Sequence, residues 1–320
     1  MLSLSEIEEA ARIVHAAFAP TPQYAWPLLA ERLGTEVWLK HENHTPTGAF
    51  KVRGGLTYFD RLRRRGSAVR GVISATRGNH GQSLAYAGAK AGIPVRIVVP
   101  HGNSTEKNAA MRALGATLVE HGADFDAARI EAARIAEAEG LVFAPSFHAD
   151  LVAGVATYSL ELLRAVPDLD VLYVPIGLGS GICGAILVRD LLGLRTGIVG
   201  VQSAGAPAYA ESLKAGCVVE IPRADTFADG MATRIPDPAA FAMIRAGVAR
   251  IVTVTDAEVA AAIRACWTDT HNLAEGAGAA ALAAAMQERA SLRGRRVGAV
   301  LSGGNIDLDL FRQQVMEINR

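Results

Sequence analysis

The feature that most constrains this chain is an alternation of two kinds of segment. Short β-rich apolar runs recur at Val37–Leu39, Val69–Ser74, Val95–Val99, Thr117–Glu120, Val171–Ile176, Ile198–Val201, Ile251–Val254 and Val297–Leu301. Most are followed by an alanine-rich stretch with helical spacing. Runs that are apolar throughout predict strands buried on both faces, the habit of parallel sheets covered by helices. The fold class is therefore α/β. At 320 residues the chain exceeds the roughly 100–200 residues of an ordinary domain, so two lobes are expected, each a mainly parallel twisted sheet flanked by helices. Ser5 with Glu8 three residues on predicts a capped helix through about Phe18. Pro145 and His148-Ala149-Asp150 mark the best break after the first set of units. The least regular stretch, Pro222 to Pro238, reads as a loop framing a site.

Charge narrows the partners. Basic and acidic side chains balance at 32 each, so no long-range field draws nucleic acid or an anionic membrane, and small neutral or zwitterionic ligands fit better. The polar start Ser3-Leu4-Ser5-Glu6 is no signal sequence, and no apolar run approaches the ~20 residues of a membrane span, so a cytoplasmic protein is expected. Cys183, Cys217 and Cys266 lie far apart without metal or disulfide spacing and read as reduced thiols. Only Lys40, Lys51, Lys90, Lys107 and Lys214 are lysines. Where arginine supplies the other basic side chains, each lysine invites a chemical question.

Four segments carry chemistry. In Thr47-Gly48-Ala49-Phe50-Lys51-Val52-Arg53-Gly54-Gly55 a lysine sits among apolar residues at a predicted helix start, where burial would lower its pKa and make it a usable amine. Alone, it also reads as an ordinary lysine snorkelling from a helix. Pro175-Ile176-Gly177-Leu178-Gly179-Ser180-Gly181-Ile182-Cys183-Gly184 is a glycine-rich strand-to-helix turn whose amides could converge on a phosphate. It is neither a P-loop nor a GxGxxG turn, and half of such turns are structural only. Ser74-Ala75-Thr76-Arg77-Gly78-Asn79-His80-Gly81-Gln82, again between strand and helix, suits a carboxylate, or is a polar capping turn without a ligand. Leu301-Ser302-Gly303-Gly304-Asn305 ends the last strand, with Ser302 able to meet a ring nitrogen. All four stand at the carboxyl ends of strands, where open α/β sheets bind ligands.

In this order and at these separations, together with Thr226-Phe227-Ala228-Asp229-Gly230 and Glu275-Gly276-Ala277-Gly278-Ala279, the segments resemble the serine/threonine dehydratase group of the fold-type II (tryptophan synthase β-like) pyridoxal-phosphate enzymes. The resemblance runs over nearly the whole chain. It implies a large cofactor-binding domain made of residues 1–64 and 149–320 and a small substrate-clamping domain, 65–148. It implies pyridoxal 5′-phosphate held covalently on Lys51, with Phe50, Gly230 and Glu275 beside it. Gly177, Leu178, Gly179, Ser180 and Gly181 would line its phosphate, Asn79 its 3′-oxygen, and Ser302 its ring nitrogen. Ser74, Thr76, Arg77, Gly78, Asn79 and His80 would meet the substrate. The implied reaction is β-elimination on a small hydroxy amino acid such as threonine, serine, 3-hydroxyaspartate or phenylserine, giving a 2-oxo acid and ammonia, by a homodimer.

Departures from the family pattern carry expectations too. The usual four glycines read Gly-Leu-Gly-Ser here. Racemases of the family have serine where this chain has Arg77, so racemisation is not expected. No metal is expected, because Gln202, Ala206 and Ala208 stand where metal-binding relatives have carboxylates. The chain ends at Arg320, before any regulatory domain of the kind that senses isoleucine. Arg77 could pair with a second substrate carboxylate, brace the α-carboxylate turn, or be a solvated turn residue; bracing is the preferred reading. Two alternatives remain: a β-replacement synthase of the cysteine-synthase kind, which usually has threonine at the position of His80, and a non-catalytic cofactor- or nucleotide-binding module.

Overall fold

The computed structural model describes residues 2–66 and 68–316. Among these the chain forms two sheets. The larger takes β1 (Gln23–Ala25), β2 (Glu36–His41), β7 (Val171–Pro175), β8 (Gly197–Ser203), β9 (Arg250–Val254) and β10 (Arg296–Leu301), in the order β1-β2-β10-β7-β8-β9. The smaller takes β3 (Val72–Ala75), β4 (Val95–Val99), β5 (Thr117–Glu120) and β6 (Val142–Phe143), in the order β5-β4-β3-β6. Every pairing is parallel except β1 with β2. The small sheet's strands thus come from one continuous segment, and the large sheet's from the chain on either side of it.

Before the small sheet run α1 (Leu4–His15), α2 (Pro27–Leu33) and α3 (Lys51–Arg64); within it run α4 (Asn79–Ala91), α5 (Thr105–Ala113) and α6 (Phe125–Glu139). After it come α7 (Ala149–Ala165), α8 (Ser180–Leu191), α9 (Ala208–Ala215), α10 (Pro238–Gly247), α11 (Asp256–Thr270), α12 (Gly276–Gln287) and α13 (Leu308–Phe311). The first helix starts earlier than its sequence suggests. Ser3 caps it, its hydroxyl accepting from Glu6 N while the Glu6 carboxylate accepts from Ser3 N at 2.8 Å. Two overlapping Ser-x-x-Glu pairs exist, and the structure uses the first, ending the helix at His15 with Ile7, Ala10 and Val14 inside. The strand expected from Val69 begins at Val72, and β1 and β6, too short to show periodicity, went unforeseen.

Helix α12 shows how composition becomes packing. Its residues Gly276 to Ala285 are all buried, and their small side chains let it lie against β10 and β7. Beneath α3 lies a buried ionic group. Arg53 donates from Nε to Glu42 at 2.7 Å and from Nη1 to Glu161 at 2.6 Å, and Lys40 donates to Glu161 at 2.6 Å. Two carboxylates facing two cations keep these charges compensated out of water, and so pin the helix that begins with Lys51.

Candidate active site

Because the strands are parallel, the turns after β3, β7 and β10 emerge on the same side of their sheets, and they meet around one cavity of about 450 Å³. Its lining includes Phe50, Lys51, Thr76, Arg77, Gly78, Asn79, His80, Gly177, Leu178, Gly179, Ser180, Gly181, Gly230, Glu275 and Ser302. Ser74 is a correction: its hydroxyl donates to Ala144 O at 2.7 Å inside the small sheet, and it does not face the cavity. The irregular 222–238 segment supplies part of the wall through Pro222, Arg223, Ala224 and residues 229 to 235.

Lys51 opens α3, and Phe50 N donates to Ser302 O at 3.0 Å, which fastens the lysine to the end of β10. Its ammonium faces the cavity, 3.4 Å from Ser180 Oγ and 4.9 Å from the Phe50 ring centre, with no carboxylate partner among the described residues. Burial lowers its pKa to about 8. An amine so placed gives up its proton far more readily than a surface lysine.

The glycine turn is shaped by close approaches. Gly179 caps α8 with φ +101°, and a Cβ on it would lie 2.8 Å from Ala240 Cβ. A Cβ on Gly177 would lie 2.4 Å from Gly230 O. The Leu178 carbonyl is held away by the Tyr209 hydroxyl, which donates to it at 2.9 Å. What remains is a cradle of backbone amides at the start of a helix, with the Ser180 hydroxyl beside it, which is a fit for a phosphate.

At the opposite turn Thr76 Oγ1 accepts from Gly78 N at 3.1 Å, and α4 starts at Asn79 with the free amides of a first helical turn. Burial first, and then the Lys51 charge, hold His80 down to a pKa of about 3, so its ring is neutral. Anion affinity here therefore comes from the helix start rather than from an imidazolium. Arg77 is exposed and makes no hydrogen bond or ion pair among the described residues, so no bond ties it to this turn. The other cationic side chains of the wall, Lys51 apart, have acidic partners: Lys107 with Asp229, Arg223 with Asp225, Arg234 with Glu220.

Ser302 is buried and donates to Ala277 O at 3.2 Å, offering the cavity a neutral hydroxyl. Glu275, buried just ahead of α12, accepts from Asn79 Nδ2 at 2.6 Å. Burial raises its carboxyl to a pKa of about 7 even with Lys107 3.5 Å away, because that ammonium is held more closely by Asp229 at 2.5 Å. Lys107 escaped the motif reading. Its signal was the scarcity of lysines, which marks it as surely as Lys51. Gln202 turns its Oε1 to the backbone of Ala210 at 2.8 Å.

A buried lysine without a counter-ion, an amide cradle for phosphate and a neutral hydroxyl converge on one cavity, and the donor set suits pyridoxal phosphate. The family model described as pyridoxal-phosphate dependent enzyme matches residues 14–303. The chain belongs to this family. An L-threonine ammonia-lyase of Thermotoga maritima is 34% identical over 312 residues, covering 97% of this chain and 77% of that one. Another from Geobacter sulfurreducens is 38% identical over 280 residues, covering 87% and 69%. Among solved structures, the processed form of threonine deaminase isoform 2 from Solanum lycopersicum superposes with a TM-score of 0.89 at 28% identity, covering 100% of this chain and 95% of that one. The fold is that of the fold-type II pyridoxal-phosphate enzymes, and this family member is a pyridoxal-phosphate-dependent lyase.

Proposed function

We propose that the chain is a threonine and serine ammonia-lyase, removing the β-hydroxyl and the amino group to leave a 2-oxo acid and ammonia. The observation that carries this is the Lys51 ammonium, free of any carboxylate and lowered to a pKa of about 8, facing a cavity that also holds an amide cradle and a neutral hydroxyl. The relatives named L-threonine ammonia-lyase support the substrate.

Lys51 would hold the cofactor's aldehyde carbon, the turn Gly177–Gly181 its phosphate, Asn79 its 3′-oxygen and Ser302 its ring nitrogen, with Phe50, Gly230 and Glu275 around them. Bound there, pyridoxal phosphate supplies an electron sink for negative charge at the substrate's Cα. Lys51 would serve as the base for the substrate's α-proton, and its lowered pKa suits proton transfer near neutral pH. The amides at the start of α4 and the Thr76 hydroxyl orient the α-carboxylate. Ser302 would give the ring nitrogen a neutral partner, which cannot hold it protonated as a carboxylate would, and so would favour prompt loss of a β-leaving group.

A second substrate class, hydroxy amino acids with a side-chain carboxylate, is favoured by Arg77, an unpaired guanidinium on the cavity wall. The same proposal assigns residues 65–148 as the substrate clamp and takes the protein as cytoplasmic; no described helix is long and apolar enough to cross a membrane. It also takes the protein as a homodimer. In its support, exposed Tyr24, Leu28 and Trp267 lie on neighbouring elements, with Arg32 of α2 bound to Asp269 of α11. The test of function is a panel of threonine, serine, 3-hydroxyaspartate and phenylserine, scored for 2-oxo acid and ammonia. Release of both in equal amounts from threonine or serine is expected; release from none of the four would overturn the reading.

A further inference from the structure

An asparagine side chain can be turned end for end with no change of shape, so only its partners decide which end is oxygen and which is nitrogen. Asn79 lies in the cavity wall, and both ends of its amide are gripped from the other sheet's side of the cleft. At one end Glu275 Oε1 accepts from Asn79 Nδ2 at 2.6 Å. At the other, Asn305 Nδ2 donates to Asn79 Oδ1 at 2.8 Å.

Asn305 is itself unambiguous. Its Nδ2 also donates to Thr47 O at 2.8 Å, and a backbone carbonyl can only accept. Both hydrogens of that nitrogen are therefore engaged, one with Thr47 and one with Asn79. The turn that carries Asn305 is fixed against the lysine segment: Gly304 N donates to Gly48 O at 2.9 Å, and Ala49 bridges to Gly303. Gly48 makes room for it, having φ +67° and a site where a Cβ would lie 2.5 Å from Asn305 Oδ1. The chain of donation runs from Asn305 to Asn79 to Glu275, and it leaves one N–H of Asn79 without a partner among the described residues.

We infer that Asn305 is a positioning residue, which fixes the orientation of the Asn79 amide so that its remaining N–H serves the cofactor's 3′-oxygen. The inference rests on the role proposed above for Asn79. It accounts for the fourth residue after β10, which the reading of Ser302 alone leaves idle. It also makes the donor composite: Asn79 comes from the small sheet's segment, while Asn305 and Glu275 come from the large sheet's segment.

The test is a double-mutant cycle read on cofactor affinity. The apoprotein is titrated with pyridoxal phosphate by the near-visible absorbance of the lysine-bound form, for wild type, Asn79→Ala, Asn305→Ala and the double variant. Each single change should raise the dissociation constant about tenfold, the scale of one hydrogen bond to a charged group, and the double should do no worse than either single. Asn305→Asp, nearly the same in shape but unable to donate, should weaken binding like Asn305→Ala when Asn79 is present and add nothing when it is alanine. Losses that multiply in the double variants, or an Asn305→Asp protein that binds as wild type does, would overturn the inference. A wild-type chain showing no lysine-bound absorbance would instead overturn the reading of the site.

Discussion

Lys51 keeps its amine poised because nothing acidic answers its charge, and burial is left to set the pKa near 8. The sign follows directly: the depressed value means the neutral, nucleophilic form grows tenfold per pH unit up to about 8 and then saturates. Cofactor uptake by apoprotein should therefore accelerate between pH 6 and 8 and level off above; a rate still climbing at pH 10 would show an ordinary lysine. Lys51→Ala should remove the near-visible band and at least ~10³-fold in turnover, since one amine supplies both attachment and proton transfer. Arg77 tests substrate class. With no bond to the turn beside it, Arg77→Ala should cost at least about tenfold in kcat/KM on 3-hydroxyaspartate and leave serine and threonine nearly unchanged. An equal loss on all substrates would restore the bracing role, and no loss on any would make it a solvated residue. Lys51 and the glycines were legible in the sequence because their chemistry is local. Ser74 misled for the opposite reason: its place next to the anion turn says nothing of Ala144, seventy residues on, whose carbonyl takes its hydroxyl. The pairing of Asn79 with Asn305 is equally a fact of topology.

Elements were legible to the extent that their signals were long. The eight strands read from apolar runs all exist, most of them because they are buried and carry their own hydrophobic pattern, while β5 has half-buried Leu118 and Val119 between exposed Thr117 and Glu120. β1 and β6, of 3 and 2 residues, are defined by their neighbours, β2 and β3, and had no period to display. The start of α1 was ambiguous between two capping boxes, and burial of Ile7, Ala10 and Val14 goes with the first. Ser3→Ala should accordingly cost about 1 kcal/mol of stability, and Ser5→Ala far less; a chemical denaturation midpoint for each variant settles which serine caps. Gly179→Ala belongs to the same scale. With φ at +101° and Ala240 Cβ at 2.8 Å from the added atom, the turn must shift, so cofactor affinity should fall by more than about tenfold while the fold survives ~1–3 kcal/mol of strain.

Across the whole molecule, α5 and the residue before it tie the small sheet's segment to the large sheet's. Lys107 of α5 reaches Asp229 at 2.5 Å and Glu275 at 3.5 Å, Ser104 reaches Asp307 at 2.6 Å, and the Glu106 carboxylate accepts from Leu308 N at 2.9 Å. Lys107 is the one cation among them, and it faces a carboxyl that titrates near neutral pH. Glu275 has a folded pKa of about 7, above its unfolded value, so the folded chain binds more protons and stability falls as pH rises toward 7, then stops falling. Removing the ammonium with Lys107→Met takes away what holds the carboxyl down, so its pKa should climb beyond 7 and the decline should continue to higher pH. Lys107 itself stays charged from pH 6 to 8.5, its pKa being raised by Glu275 and Asp229 against the opposing effect of burial, and so contributes no slope of its own there. The denaturation midpoints of wild type and Lys107→Met should then lie closest near pH 6 and separate steadily toward pH 8.5. A gap that stays constant across that range would mean Lys107 acts only through half-exposed Asp229, and that Glu275 does not titrate with it.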